Sequence, residues 1–193
     1  MREQGGLRRR AIPPRPEGRG LPRMRIMNGT PPGGKDNRRN PAAQSAQPHP
    51  RLTVELIPAT TWYDNLRSRL TPEGWKKLRK ECYRKAGYRC EICGGRGPDH
   101  PVECHEIWHF DDDRAVQTLV RLIALCPSCH LVKHFGFASV SGRDEEAFAH
   151  LLRVNGWTRE QGERHVAEAF RQWETRSRRQ WKLDISAIIP QPG

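Results

Sequence analysis

The chain has 193 residues, of which 35% are hydrophobic, and its formal net charge is +12 at pH 7. This length suits one domain with a tail, and no stretch approaches the roughly 20 consecutive apolar residues that a membrane-spanning helix needs, so we expect no membrane partner. Six cysteines without an export signal favour a reducing compartment. The sequence therefore predicts a cytoplasmic protein whose paired cysteines bind metal.

Residues 1–50 differ in composition from the rest of the chain. They hold nine of the sixteen prolines and seven of the seventeen glycines, and their net charge of +8 leaves only +4 for residues 51–193. Such a segment cannot bury enough apolar area to offset its chain entropy, so we predict a disordered basic tail. An arm along phosphates, a linker, and a translation start at Met24 or Met27 are the open interpretations. The folded domain is predicted over 51–193.

The predicted elements of this domain mix short strands with helices. Thr71 and Pro72 are typical of a helix start, and Gly87 is typical of a helix end. β-Branched and apolar residues, ended by Pro58, indicate the first strand. In chain order, a strand over 52–57 is followed by a helix over about 72–86 and by strands over 102–108 and 121–125, which residues 109–120 join. A helix then begins at Pro127, and another covers about 145–154. A long helix runs from the capping box at Thr158 to about 179, and a last strand covers 182–189. The fold class predicted is α+β.

Two Cys-x-x-Cys pairs lie in the middle of the domain. The first is Cys90 and Cys93, followed by two glycines that let the backbone turn, and the second is Cys126 and Cys129. Four thiolates saturate tetrahedral zinc and leave no open coordination position. The pattern therefore predicts a structural Zn²⁺ site of four cysteines.

Three histidines are interleaved with these cysteines. His130 and His134 lie four residues apart on the helix from Pro127 and share one face, while His105 lies in a strand before it. Imidazoles bind several divalent ions, so these residues predict a second metal site that is open to chemistry. A metal-free polar cluster beside the zinc is the alternative. Four other histidines are expected at the surface: His49, His100, His150 and His165.

The run over 90–134 resembles the HNH (His-Asn-His) endonucleases, in which a ββα-metal (His-Me finger) fold packs a hairpin against a short helix around one divalent ion. Zinc-stapled bacterial members of this superfamily similarly place cysteines just before the first histidine of the helix. The resemblance implies a motif core over 88–136, with flanking helices. It also implies that His105, His130 and His134 bind the second ion, which is Mg²⁺, Mn²⁺, Ni²⁺ or Zn²⁺.

Two positions depart from the family pattern. The family's general base is a histidine, which is replaced here by Glu106, and the central asparagine falls near Arg121. The resemblance implies that Glu106 is the substitute base and that Arg121 holds the scissile phosphate. Lys133 is a candidate for binding nucleic acid. Loss of a general base commonly costs on the order of 100- to 10,000-fold in rate.

Two functions are therefore expected. The first is an HNH-type endonuclease, a metal-dependent hydrolase of phosphodiester bonds with DNA as its partner. The second is a zinc-binding module on the same fold that binds nucleic acid or protein without catalysis. The intact ligand triad favours the enzyme, whereas the near-neutral domain and the substituted base favour the module.

Overall fold

A computed structural model describes residues 49–62 and 66–189, so residues 1–48 of the predicted disordered tail lie outside the described residues. The described part mixes helices with one three-stranded sheet, which confirms the predicted α+β class. None of its helices is long and apolar enough to cross a bilayer. The elements are α1 (Pro72–Lys85), β1 (Glu103–Asp111), β2 (Val116–Leu125), α2 (Pro127–Lys133), α3 (Phe135–Val140), α4 (Asp144–Asn155), α5 (Arg159–Arg176) and β3 (Lys182–Asp184).

Helices α1 and α5 begin where side-chain caps predict. The hydroxyl of Thr71 accepts a hydrogen bond from the backbone N–H of Gly74 at 3.1 Å, and Pro72 is the first residue of α1. Thr158 and Gln161 form a reciprocal capping box at the start of α5. These side chains satisfy backbone donors that have no partner inside the helix, so they fix the starts of α1 and α5.

The central hairpin is longer than predicted. β1 and β2 pair antiparallel, and the predicted connection over 109–120 shrinks to residues 112–115. The Asp111 carboxylate accepts hydrogen bonds from the backbone N–H groups of Asp113 (3.2 Å) and Arg114 (2.9 Å). This side-chain-to-backbone pattern closes a tight turn, so the acidic run that reads as a long loop forms only the tip of the hairpin.

Residues 52–57 form no strand, although their β-branched and apolar residues predict one. The backbone N–H of Val54 donates to Nε2 of His165 at 3.0 Å, and that of Glu55 donates to the carbonyl oxygen of Lys133 at 3.2 Å. These donors are satisfied by helices α5 and α2 instead of a neighbouring strand. The half-buried His165 is therefore a hydrogen-bonding partner of this segment and not a free surface residue.

The last strand is also shorter than predicted. β3 pairs in parallel with β2 and ends at Asp184. The chain then turns, and the backbone N–H groups of Ile188 and Ile189 donate to the carbonyl oxygen of Ile185 at 3.0 and 2.9 Å. These isoleucines pack on a small cluster with the fully buried Leu66, so their apolar pattern reflects a packed turn and not a strand.

The sheet has a core on each face. The helices that follow the hairpin contribute the larger core, in which Phe148 and Leu151 are almost fully buried. On the other face α1 packs with Cys82 next to Cys104. Because neighbouring residues in a strand point to opposite faces, Cys104 faces α1 and His105 faces α2.

Candidate metal centres

The four paired cysteines come together, as their spacing predicts. Their Sγ atoms all lie within 4.8 Å of one another, and Sγ of Cys93 is 3.6 Å from Sγ of Cys126. Bonds of about 2.3 Å in a tetrahedral zinc site place neighbouring sulfurs about 3.8 Å apart. The donor set therefore fits a zinc ion that Cys90, Cys93, Cys126 and Cys129 would hold.

Hydrogen bonds attach the first cysteine pair to the sheet. The backbone N–H of Glu91 donates to the carbonyl oxygen of Ala124 at 2.9 Å, and the Glu91 carboxylate accepts the N–H of Ala124 at 2.8 Å. Gly94 adopts a φ of 75°, a left-handed conformation that glycine adopts without strain, and its N–H donates to the carbonyl oxygen of Cys90 at 2.8 Å. The turn over residues 90–95 is thus held beside the end of β2, where Cys126 follows.

Hydrogen bonding already favours one thiolate in the cluster. The thiol of Cys129 lowers the pKa of Cys90 to about 4, with burial opposing it and the backbone N–H of Cys93 adding to it. Burial raises the pKa of Cys126 to about 11. Zinc binds thiolates, so a bound cation would favour the charged form of every cysteine in the set.

His150 lies beside this cluster and is only 7% exposed, so its predicted surface position is wrong. Its Nε2 is 3.1 Å from Sγ of Cys129, and its Nδ1 is 2.6 Å from the guanidinium of Arg153. Because a guanidinium only donates, Nδ1 accepts and Nε2 carries the proton that points at the sulfur. The sequence carries a signal for this burial, since His150 follows Ala147 by three residues and directly precedes Leu151, so it lies at the helical spacing of the apolar face of α4.

The three histidines form a second cluster. Their donor atoms lie within 4.8 Å of one another, and Nε2 of His130 is 3.1 Å from Nε2 of His134. Zinc–nitrogen bonds of about 2.0 to 2.1 Å in a tetrahedron imply separations of about 3.4 Å, so this set also fits a divalent ion. His105 is 6% exposed, whereas the side chain of His130 is 24% exposed. His130 and His134 are both more exposed than His105, so the cluster opens on their side.

Two carboxylates that the sequence analysis did not identify contact these histidines. Glu103 contacts Nδ1 of His130 and also bonds to His100 at 2.7 Å, while Glu55 lies 3.3 Å from Nε2 of His105. A carboxylate behind a metal-binding histidine fixes its tautomer and orientation. Glu103 precedes His105 by two residues on the same face of β1, a signal that the sequence contains. Glu55 is 50 residues from His105, and no local pattern indicates it.

In the second cluster, the pKa values of the His130 and His134 imidazoles are lowered, and so are those of the carboxylates that contact the cluster. Burial, reinforced by the charges of His130 and His105, lowers the pKa of His134 to about 3. Burial by itself raises the pKa of Glu55, but the hydrogen bond from His105 and the charge of Lys133 outweigh it and lower the value to about 2. Neutral imidazole is the form that binds a divalent ion, so the lowered pKa values of His130 and His134 favour the ligand form of these two residues.

Glu106 faces away from the histidines. It alternates with His105 in β1 and accepts hydrogen bonds from the indole N–H of Trp108 and the backbone N–H of Leu66. Burial raises its pKa despite these two hydrogen bonds. Glu106 therefore lies on the α1 side of the sheet, where it anchors the turn before α1.

Arg121 and Lys133 also have partners other than those predicted. The half-exposed guanidinium of Arg121 pairs with the carboxylate of Glu91 at 2.8 Å, next to the cysteine cluster. Lys133 is 4% exposed, and its ammonium group contacts Glu55 and, at 2.9 Å, the hydroxyl of Thr53. The predicted contact of Lys133 with nucleic acid does not agree with this position, because a buried and paired ammonium group cannot meet a phosphate.

No family profile, curated protein or solved structure matches this chain. The fold and the two clusters define an α+β protein with a four-cysteine set that can hold zinc and a histidine triad. The resemblance to the HNH endonucleases rests on these ligand residues and their spacing.

Proposed function

We propose that this protein is an HNH-type endonuclease that hydrolyses phosphodiester bonds in DNA with a divalent ion. The observation that carries the proposal is the convergence of His105, His130 and His134. His105 comes from the first strand of a hairpin, His130 from the helix that follows the second strand, and His134 is the residue directly after that helix, in the chain order that the resemblance implies. DNA as the substrate also comes from the resemblance.

The two clusters have different roles in this proposal. The four cysteines hold a structural Zn²⁺, while the histidines hold a second ion, Mg²⁺, Mn²⁺, Ni²⁺ or Zn²⁺. When bound, that ion polarises water and neutralises charge on the phosphate. The chain itself supplies three imidazoles, orients His130 through Glu103, and leaves the side of His130 and His134 accessible. These features support a metal-dependent hydrolytic site.

Catalysis by Glu106 as general base stays a prediction within this proposal. The Glu106 carboxylate is engaged by Trp108 and Leu66 on the α1 side of the sheet, so it would have to leave both partners to reach the side of His105. Arg121 would likewise have to leave Glu91 to hold a phosphate.

The positions of Glu106 and Arg121 favour a second candidate function. If neither residue serves the histidine cluster, the protein is a zinc-binding module that uses the fold for contact with nucleic acid or protein. The two candidates differ in whether the histidine cluster binds an ion that supports hydrolysis.

Nicking of supercoiled plasmid by the full chain tests the proposal. Protein, His105→Ala and His109→Ala would each be incubated with plasmid and Mg²⁺, Mn²⁺, Ni²⁺ or Zn²⁺, beside a parallel set with structured RNA. His109 is an exposed histidine on the same strand and outside the cluster, so its variant is the matched control. We expect metal-dependent nicking of DNA by the parent and by His109→Ala, and a loss of about 100-fold or more in His105→Ala.

Metal content provides the second measurement. We expect two ions per chain in the parent protein and one in His130→Ala. Plasmid nicking no faster than that of His105→Ala with every metal would overturn the enzyme proposal. A single ion per chain, together with retarded migration of uncut DNA, would instead support the binding module.

A further inference from the structure

Glu55 lies between the side chains of His105 and Lys133 and contacts both of them. One oxygen of its carboxylate is 3.3 Å from Nε2 of His105. The other oxygen accepts the hydroxyl of Thr53 at 3.2 Å and contacts the ammonium group of Lys133. All four side chains are at least partly buried, so the carboxylate is held in one orientation by three donors.

The contact with Glu55 determines which nitrogen of His105 faces the cluster. A carboxylate can only accept, and an ionised one carries no proton, so Nε2 of His105 must be the donor. In neutral imidazole the other nitrogen, Nδ1, then carries the lone pair. His130 has the opposite arrangement, because its Nδ1 contacts Glu103 while its Nε2 lies 3.1 Å from Nε2 of His134.

Glu55 is placed behind a ligand and not among the ligands. Within the described part of the chain, the group whose donor atoms lie within 4.8 Å of one another consists of the three histidines and does not include Glu55. A carboxylate in this position orients an imidazole and strengthens it as a ligand.

We propose that Glu55 is the positioning residue of the histidine site: it holds His105 in the tautomer with Nε2 protonated, so that His105 binds the ion through Nδ1 while His130 binds through Nε2. Lys133 and Thr53 fix the carboxylate in turn. The inference rests on the metal binding proposed above but not on hydrolysis of DNA.

This assignment explains why a buried lysine is present beside a cation site. The ammonium group of Lys133 contacts Glu55, so Lys133 supports the carboxylate that supports His105. It also connects the segment over 52–57 to the site, because Glu55 belongs to that segment and its backbone N–H donates to the end of α2 at Lys133.

Long-range ¹H–¹⁵N spectra of the histidine rings in the zinc-loaded full chain test the tautomer directly. Zn²⁺ is diamagnetic, so the shifts of both ring nitrogens are observable. We expect His105 to show a protonated Nε2 and a zinc-bound Nδ1, and His130 to show a protonated Nδ1 and a zinc-bound Nε2. Binding of zinc through Nε2 of His105 would overturn the proposal without the use of any variant.

The affinity for the second Zn²⁺, measured by competition with a chromophoric chelator, tests the role of the carboxylate. We expect Glu55→Ala to weaken binding by about 10- to 100-fold, as is typical for a residue behind a ligand. Glu55→Gln should recover part of this loss, because the amide oxygen can still accept from Nε2. Glu163→Ala is the matched control, since Glu163 is an exposed glutamate of α5 with only a surface ion pair to Arg159.

Full occupancy of the four-cysteine site by zinc reports that each variant is folded. Unchanged affinity for the second ion in both Glu55 variants would overturn the positioning role while leaving the metal site in place. Absence of a second ion in the parent protein would overturn both the inference and the metal site on which it rests.

Discussion

His150 directs one N–H group at the cysteine cluster. A zinc ion bound by four thiolates carries a net charge of −2, so each N–H that points at a sulfur stabilises it. The Arg153 guanidinium fixes His150 with its protonated Nε2 directed at Sγ of Cys129. The side chain is also buried, so water would not fully replace the bond after its removal.

We predict that His150→Ala releases zinc from the cysteine site faster than the parent protein, by about tenfold, within the range found for partners of metal ligands. His150→Gln should fall between the two, because its amide N–H can still donate to sulfur. A chromophoric chelator in excess follows the release rate, with His109→Ala as the control. Equal release rates for His150→Ala and the parent would show that the contact with Cys129 does not stabilise the bound ion.

The end of α5 is attached to the tip of the hairpin by charged groups. The guanidinium of Arg176 makes two hydrogen bonds to Asp112, at 3.0 and 2.6 Å, and lies 4.6 Å from the centre of the Phe110 ring. Arg179 donates to the backbone carbonyl of Asp112. A helix of the larger core thereby holds the turn that closes β1 and β2.

We predict that Asp112→Asn lowers the free energy of unfolding by about 0.5 to 1 kcal/mol, a modest value because the Asp112 side chain is 53% exposed and solvent screens the pair. The hydrogen bond from Arg176 lowers the pKa of Asp112 below its ordinary value of 3.8. The stabilisation of the fold by this ion pair is therefore present above pH 3.8. It is lost only as the pH falls through the lower pKa that Asp112 has in the folded protein. Across neutral pH the difference should stay constant.

Urea unfolding of the full chain with saturating zinc measures this difference. Asp113→Asn is the matched control, since Asp113 is exposed in the same turn and bonds to Asp111 through its backbone. The difference in unfolding free energy between Asp112→Asn and the parent should shrink at about 1 M salt, where the Debye length falls to about 3 Å. A difference that is independent of salt would point to packing of the turn and not to the ion pair.

The elements show which parts of the fold local sequence determines. Capped helices such as α5 were predictable, because Thr158 and Gln161 satisfy the helix start within four residues of chain. The segment over 52–57 was not, because its partners are His165 and Lys133, far away in the sequence. A strand pattern specifies an extended backbone, while the partner of that backbone depends on tertiary packing.

The same distinction applies to the two metal centres. The cysteine and histidine ligands were predictable because chelating spacing is a local property, with Cys126, Cys129 and His130 in one turn of chain. Glu103 could have been found from its position two residues before His105. Glu55 could not, because only the folded chain brings it to His105 across 50 residues.

At the scale of the whole molecule, α2 joins the two centres. Cys126 directly precedes α2, and Cys129 and His130 lie within it. His134 directly follows the last residue of α2. Cys90, Cys126 and Cys129 are also part of the larger core, beside Phe148 and Leu151 of α4. The cysteine site thus attaches the turn over 90–95, β2 and α2 to that core, whereas the histidine site uses elements that are already in place.

This arrangement predicts an asymmetric response to metal removal. Structural zinc contributes about 10 to 16 kcal/mol in small zinc-binding peptides, comparable to the whole stability of about 5 to 15 kcal/mol of a typical domain. We therefore expect a strong chelator, or Cys93→Ser, to abolish the cooperative thermal transition and the near-UV circular dichroism, and with them binding of the second ion.

His105→Ala should lose the second ion but keep a cooperative transition within a few degrees of the parent, because the four-cysteine site still holds α2 in position. If His105→Ala unfolded as readily as Cys93→Ser, the histidine cluster would be a second structural site, since an open site that binds substrate does not hold the core together.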